Sequence, residues 1–275
     1  MSTYYVGFDG SDPSRSAIRW ALARAEADGS PVILVHVVDD EWGLLGPDYA
    51  REAERRAGSL LAQEVTAAQT HAGLKIGALV LHGSPAWALA AVPTSGDVLV
   101  VGTHKTGTLH GRVLGSRSVQ IAAAAACTVV VVPEPTVTGR RGVVVGVDRF
   151  EGSTSAVIRG AREAHRLGQE LTLVHTPSIL GAEPGAAALP ESTRAAEQVL
   201  EAAARLATAT TPGVLVRPRL VHEPPAEALL NAGSEAALLV VGVSHPRPVT
   251  QSVIGSVTHD VLMNITVPVL VARSD

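Results

Sequence analysis

This 275-residue chain is written twice, and that duplication limits its possible folds more than anything else in it. The opening YYVGFDGSDPSRSAIRWALARA returns as VVVGVDRFEGSTSAVIRGAREA after Arg141. VILVHVV returns as LTLVHTP, which sets His36 against His175 at an offset of 139. HGSPAWALA and HEPPAEALL align Pro85 with Pro225. DVLVVGTH with ALLVVGVS, and VLGSRS with VIGSVT, bring Gly102 and Gly115 onto Gly242 and Gly255 at an offset of 140. Landmarks kept in one order at a nearly constant offset mean a duplicated domain; a solenoid would repeat every 20–50 residues or so. The Pro/Thr/Gly-rich stretch from Pro133 to Gly139 reads as the linker, so the expected domains are residues 1–134 and 141–275.

Each copy alternates strands with helices. In the first, β-rich runs fall near Tyr4–Phe8, Val32–Val38, Ile76–Leu81, Val98–Gly102 and Thr128–Val132. Asp12-Pro13 reads as an N-cap and first helical residue, with Ile18, Ala21, Leu22 and Ala25 on one face and Gly29 as the stop. Further helices are expected over Asp48–His71, Pro85–Ala91 and Ser116–Ala126, and in the second copy near Glu191–Ala209. Strands apolar on both faces and separated by helices are parallel strands covered on both sides. The expected fold class is therefore α/β: two tandem open, doubly wound, parallel five-stranded sheets of Rossmann-like type.

Composition narrows the function. With 46% hydrophobic and 17% charged residues, the chain is not a disordered one. Its 22 Lys+Arg against 26 Asp+Glu give a net charge of −4, which does not suit a nucleic-acid backbone, and 3% aromatics supply few stacking platforms. A lone cysteine, Cys127, can form neither an internal disulfide nor a Cys-based zinc site, and it reads as inert packing at the start of a buried strand. No basic, apolar leader opens the sequence, and the most apolar run, Ile121–Val132, falls well short of the roughly 20 residues of a membrane span. A cytoplasmic protein with no membrane contact is expected.

In doubly wound sheets ligands sit beyond the carboxyl ends of the strands, where the strand order reverses. Asp9 and Asp148 follow the first strand of each copy. A long loop follows the fourth strand, from Gly102 to Gly115-Ser116 at the start of a helix. Backbone N–H groups at such a helix start favour an anion, Thr103, Ser116 and Ser118 add hydroxyl donors, and Lys105 and Arg117 add positive charge. His104 and His110 lie in the same loop. Taken singly, an Asp after a strand is as readily a turn former, and a Gly-Ser before a helix a cap. Their recurrence in both copies favours a phosphate site. Neither a P-loop nor a dinucleotide Gly-x-Gly-x-x-Gly is present. A phosphoacceptor receiver is excluded as well, because the third strand ends in Leu81-His82-Gly83 with no carboxylate. His36 and His175 read as satisfied core histidines, and no metal site or catalytic residue is expected.

The VGFDGSDPS start, the LVHVVDD second strand and the VVGT…LGSRS segment resemble the universal stress protein family in its tandem form. That resemblance implies an adenine-nucleotide alpha-hydrolase-like fold and an ATP signature, Gly-x2-Gly-x9-Gly-(Ser/Thr). It assigns Gly102, Gly115 and Ser116 to the triphosphate, and Asp9 and Val37 to ribose and adenine. Gly242, Gly255, Ser256, Asp148 and Thr176 stand at the matching places of the second copy. The middle glycine of the signature is Lys105 in one copy and His245 in the other. Pro246 and Pro248 stiffen the second loop, and Arg149-Phe150 replaces Gly10-Ser11, so the first site is expected to be the better one.

The resulting expectation is an ATP-binding sensor or regulatory module, with Mg2+ as an accompanying ion and hydrolysis slow or absent. The alternatives are a nucleotide-independent stress protein acting through an unidentified protein partner, and an enzyme of nucleotidyl transfer or ATP cleavage. The resemblance also implies that the last strands, Thr128–Val132 and Val267–Ala272, pair the two copies internally about a pseudo-two-fold axis, with a homodimer of whole chains beyond that.

Overall fold

The computed structural model describes residues 2–39, 47–69, 73–104, 108–109, 112–113, 116–134, 139–149, 151–177, 190–243 and 254–273. The chain divides into two units, residues 1–136 and 137–274.

In the first unit the elements run β1 (Tyr4–Gly7), α1 (Asp12–Asp28), β2 (Val32–Val38), α2 (Pro47–Ala68), β3 (Ile76–His82), α3 (Pro85–Ala91) and β4 (Val98–His104). Two short antiparallel strands follow, β5 (Thr108–Leu109) and β6 (Arg112–Val113), then α4 (Ser116–Ala124) and β7 (Thr128–Glu134). The sheet order is β7-β4-β1-β2-β3, every neighbouring pair parallel. Val6 lies between Leu34 and Val100, and Val100 pairs in turn with Val130. These four side chains are wholly buried, each stabilising the fold by about 1.5–3 kcal/mol. Continuous Val/Leu runs thus mark strands covered on both faces, while the outer β3 is only partly buried.

The second unit repeats the course: β8 (Val143–Gly146), α5 (Glu151–Leu167), β9 (Leu171–His175), α6 (Pro190–Thr210), β10 (Val216–Leu220), α7 (Pro225–Gly233), β11 (Leu238–Gly242), α8 (Ser256–Met263) and β12 (Val269–Ala272). Its order is β12-β11-β8-β9-β10, again parallel. Pro218, which has no N–H to give a ladder, falls on the outer strand β10, where it is tolerated.

Two details differ from the sequence reading. The N-cap of α1 is Ser11, with extended backbone, and its hydroxyl accepts from the Ser14 N–H; Asp12 sits in the first turn, where its charge faces the helix dipole. Gly29 does end α1, in the left-handed conformation at φ 70°, with its N–H on the Ala25 carbonyl at 2.8 Å. In addition, β4 continues two residues past Gly102 because Thr103 and His104 pair with Pro133 and Glu134. Among the described residues, no helix is long and apolar enough to cross a membrane.

Candidate functional site

Strand order reverses between β1 and β4 in the first unit, and between β8 and β11 in the second. A cavity opens at each reversal, beyond the carboxyl ends of the strands.

The first-unit cavity measures about 250 Å3. Asp9, Val37, Gly102, Arg117 and Ser118 all line it, brought from the ends of β1, β2 and β4 and from the start of α4. Gly10 makes the turn after β1 with φ at +84°, a region that favours glycine. The turn is closed by Ser11, whose N–H and hydroxyl both reach Asp9 Oδ1, at 3.0 and 2.5 Å. Partial burial opposes ionisation of Asp9, but the hydrogen bonds from Ser11 and Ser14 outweigh it and hold the carboxyl below its usual range. Asp9 is thus an anion facing the cavity, an acceptor for hydroxyl groups. Arg117, exposed at the second position of α4, puts a guanidinium on the same cavity.

Gly102 has a second reason to be glycine. A Cβ there would lie 2.1 Å from the Pro13 carbonyl oxygen and 2.2 Å from its carbon, so the first turn of α1 seats directly on β4. Close packing of helix on strand, as well as any ligand, accounts for this residue. Val37 stands inside β2, opposite Leu81, rather than after the strand. Thr103 is buried in β4 and is not part of the cavity lining. His104 is the last residue of β4, and Ser116 opens α4. Lys105, His110 and Gly115 lie outside the described residues.

The second-unit cavity is larger, about 520 Å3, and Asp148, Thr176 and Gly242 line it as their twins' places suggest. Here Arg149 follows the aspartate where Gly10 stands in the first unit, and the carboxylate is held from the helix instead. Ser153 donates its hydroxyl to Asp148 Oδ1 at 2.6 Å and accepts the Asp148 N–H at 2.7 Å. Gly255 caps α8 at φ −66°, an ordinary backbone conformation, and Ser256 is exposed. The next two residues, Val257 and Thr258, reach the cavity, and Thr258 Oγ1 donates to the Gly242 carbonyl at 2.9 Å. His245, Pro246 and Pro248 lie outside the described residues.

The sequence reading missed the apolar wall. Pro85 and Leu89 of α3, and Pro225 and Leu229 of α7, line their respective cavities. Leu89 approaches so near β1 that a Cβ on Gly7 would stand 3.2 Å from it, and Gly146 meets Leu229 at 3.0 Å in the same way. The usable signal was the recurrence of Pro and Leu four residues apart in both copies. His36 and His175 each donate from Nδ1 to the carbonyl at the end of the adjacent first strand, Phe8 at 2.8 Å and Val147 at 2.6 Å. These bonds latch strand ends together, as expected of satisfied histidines.

A parallel doubly wound sheet with a crevice at its switch point, lined by a carboxylate after the first strand, is present here twice, and the crevice lies where sheets of this class place their ligands. The universal stress protein family matches residues 3–133 and again residues 139–273, and the chain belongs to that family. Universal stress protein Rv2623 of Mycobacterium tuberculosis is 32% identical over 290 residues, covering 98% of this chain and 95% of its own. Universal stress protein Rv2005c of the same species is 31% identical, covering 98% and 96%. A solved universal stress protein from Archaeoglobus fulgidus superposes with a TM-score of 0.74 at 18% identity, covering 98% of each chain, which shows the shared fold.

Proposed function

We propose that the chain is an adenine-nucleotide-binding regulatory module whose first unit takes ATP. The reading is carried by one observation: Asp9, Val37, Gly102, Arg117 and Ser118, drawn from four separate segments, meet on one cavity at the switch point. Their chemistry divides as a nucleotide requires. The ionised Asp9 accepts from ribose hydroxyls. The Val37 and Leu89 surfaces receive a flat base. Arg117, at the opening turn of α4, meets phosphate charge together with the N–H groups at that helix start. Family membership supports the same assignment. Among the described residues lining the first cavity there is no histidine, and the carboxylates there, Asp9 and Asp39, are acceptors rather than evident activators of water, so the role proposed is retention without rapid turnover. Mg2+ would accompany the triphosphate as its counter-ion.

Calorimetry of the full chain with ATP tests the reading, alongside mass spectrometry of nucleotide released from the purified protein. Binding weakened about tenfold or more in Asp9→Ala and in Arg117→Ala is the expected outcome. Undiminished binding in both variants would overturn the assignment.

A further inference from the structure

The two cavities differ in charge as well as in size. Where Arg117 lines the first, its twin Val257 lines the second. Where the first copy has Gly83 before α3, the second has Glu223, and this carboxylate stands on the cavity rim. Glu223 is fixed there by Asn231, whose amide donates to Oε2 at 3.0 Å. Among the described residues lining the second cavity, the charged side chains are Asp148 and Glu223, with no lysine or arginine beside them. The rest of the wall is largely apolar, with Val174, Pro177, Leu229, Val241 and Val257 prominent.

Among the described residues each cavity has two carboxylates, Asp9 and Asp39 in the first and Asp148 and Glu223 in the second, but only the first sets an arginine against them. With an apolar side chain where that cation stood, four phosphate charges are repelled and poorly solvated. A neutral ligand meets neither penalty. The sugar-facing carboxylate is kept as Asp148, and Glu223 adds an acceptor that suits an exocyclic amino group. We propose that the second unit binds an uncharged, amino-bearing nucleoside, of which adenosine is the simplest, in preference to any nucleotide triphosphate. One chain would then hold a triphosphate in its first unit and a nucleoside in its second. The inference rests on the nucleotide reading above for the kind of ligand, but on Val257 and Glu223 for its charge.

The test uses the full chain carrying Asp9→Ala and Arg117→Ala, which closes the first site. Segment 244–253, with Arg247, lies outside the described residues and is retained, so the titrations include whatever it contributes. The expected result is one adenosine per chain, lost in Asp148→Asn, with ATP binding weaker by about tenfold or more. Glu223→Lys, an exposed change that leaves the core alone, and Val257→Arg, which copies the first unit, should each raise ATP affinity about tenfold and reverse the preference. ATP binding as tightly as adenosine in the parent double variant would overturn the inference while leaving ATP in the first unit intact. Conversely, adenosine binding in a chain that never takes ATP in its first unit would sink the ATP assignment and sustain this one. No binding of adenosine would overturn the inference outright.

Discussion

The two units run the same course of strands and helices, yet they build the turn after the first strand in different ways. In the first, a left-handed glycine lets the chain fold back sharply, and Ser11, two residues on, holds the aspartate. In the second, Arg149 occupies the glycine's place and the hold comes from Ser153, five residues on and already inside the helix. Both leave a carboxylate at the mouth of a cavity. The same placement is reached through different local bonds, so duplicated copies can keep a functional atom while exchanging the residues that fix it. At the far side of the cavity the copies do diverge in chemistry, Arg117 against Val257.

The comparison breaks most visibly at the glycines that seat helices on strands. Gly102→Ala places a methyl within 2.2 Å of the Pro13 backbone, which cannot step aside as a side chain can. The expected cost is about 3 kcal/mol or more, read as faster hydrogen exchange throughout α1 and β4. Gly160→Ala in α5 meets a γ-methyl of Val145 at 2.3 Å and Leu171 Cδ1 at 3.5 Å; Val145 is buried and stiff, yet side chains yield more readily than backbone, and a cost of about 2 kcal/mol is expected. Equal costs would mean that backbone contact is not what demands Gly102.

Next in size is the charge contrast. Arg117→Ala should weaken ATP binding about tenfold at low salt, with the gap closing as salt is raised. Val257→Ala should leave ATP binding unchanged. A comparable loss from both would remove the distinction between the cavities.

The serines that hold the two aspartates sharpen the comparison further. Ser11→Ala and Ser153→Ala should each cost about 1 kcal/mol, with fraying confined to the start of α1 or of α5. Fraying in the opposite unit would contradict the separate bonding of the two turns.

Smallest is the pH effect on Asp9. Its carboxyl is held below the usual range, so its contribution to stability is complete above the unfolded-state value of about 4 and fades as pH falls through the lower folded value. Asp9→Asn should flatten the acid limb of first-unit stability slightly. Asp97 must be compared with it, because burial opposes its ionisation too and the Thr3 and Thr94 N–H groups and the Thr94 hydroxyl again lower it. An acid limb unchanged in Asp9→Asn and flattened in Asp97→Asn would assign the effect to the latter alone.

The duplication, the order of strands and helices, their parallel arrangement and the aspartates after the first strands were all legible in the residues. Each follows from patterns local in sequence: runs of Val and Leu for buried strands, 3.6-residue periodicity for helices, and Gly, Pro and Ser at their ends. The α1 cap was misplaced by one residue, because Ser11 and Asp12 are both good caps and the choice depends on which backbone stays extended. The apolar walls from α3 and α7 were marked only by the recurrence of Pro and Leu four residues apart in both copies, since nothing in PAWALAA itself says which face meets a neighbouring strand.

By itself, then, the sequence determined a tandem doubly wound α/β protein with carboxylates at two switch points, because local patterning and repetition need no knowledge of distant neighbours. Only the tertiary structure decided which side chains meet at those points. Asp9 and Arg117 are 108 positions apart in the chain, and Gly102 meets Pro13 across a gap nearly as long. Whether such residues share a cavity, and whether a glycine serves a ligand or a helix, depends on contacts formed only when the sheet closes and the helices pack on it.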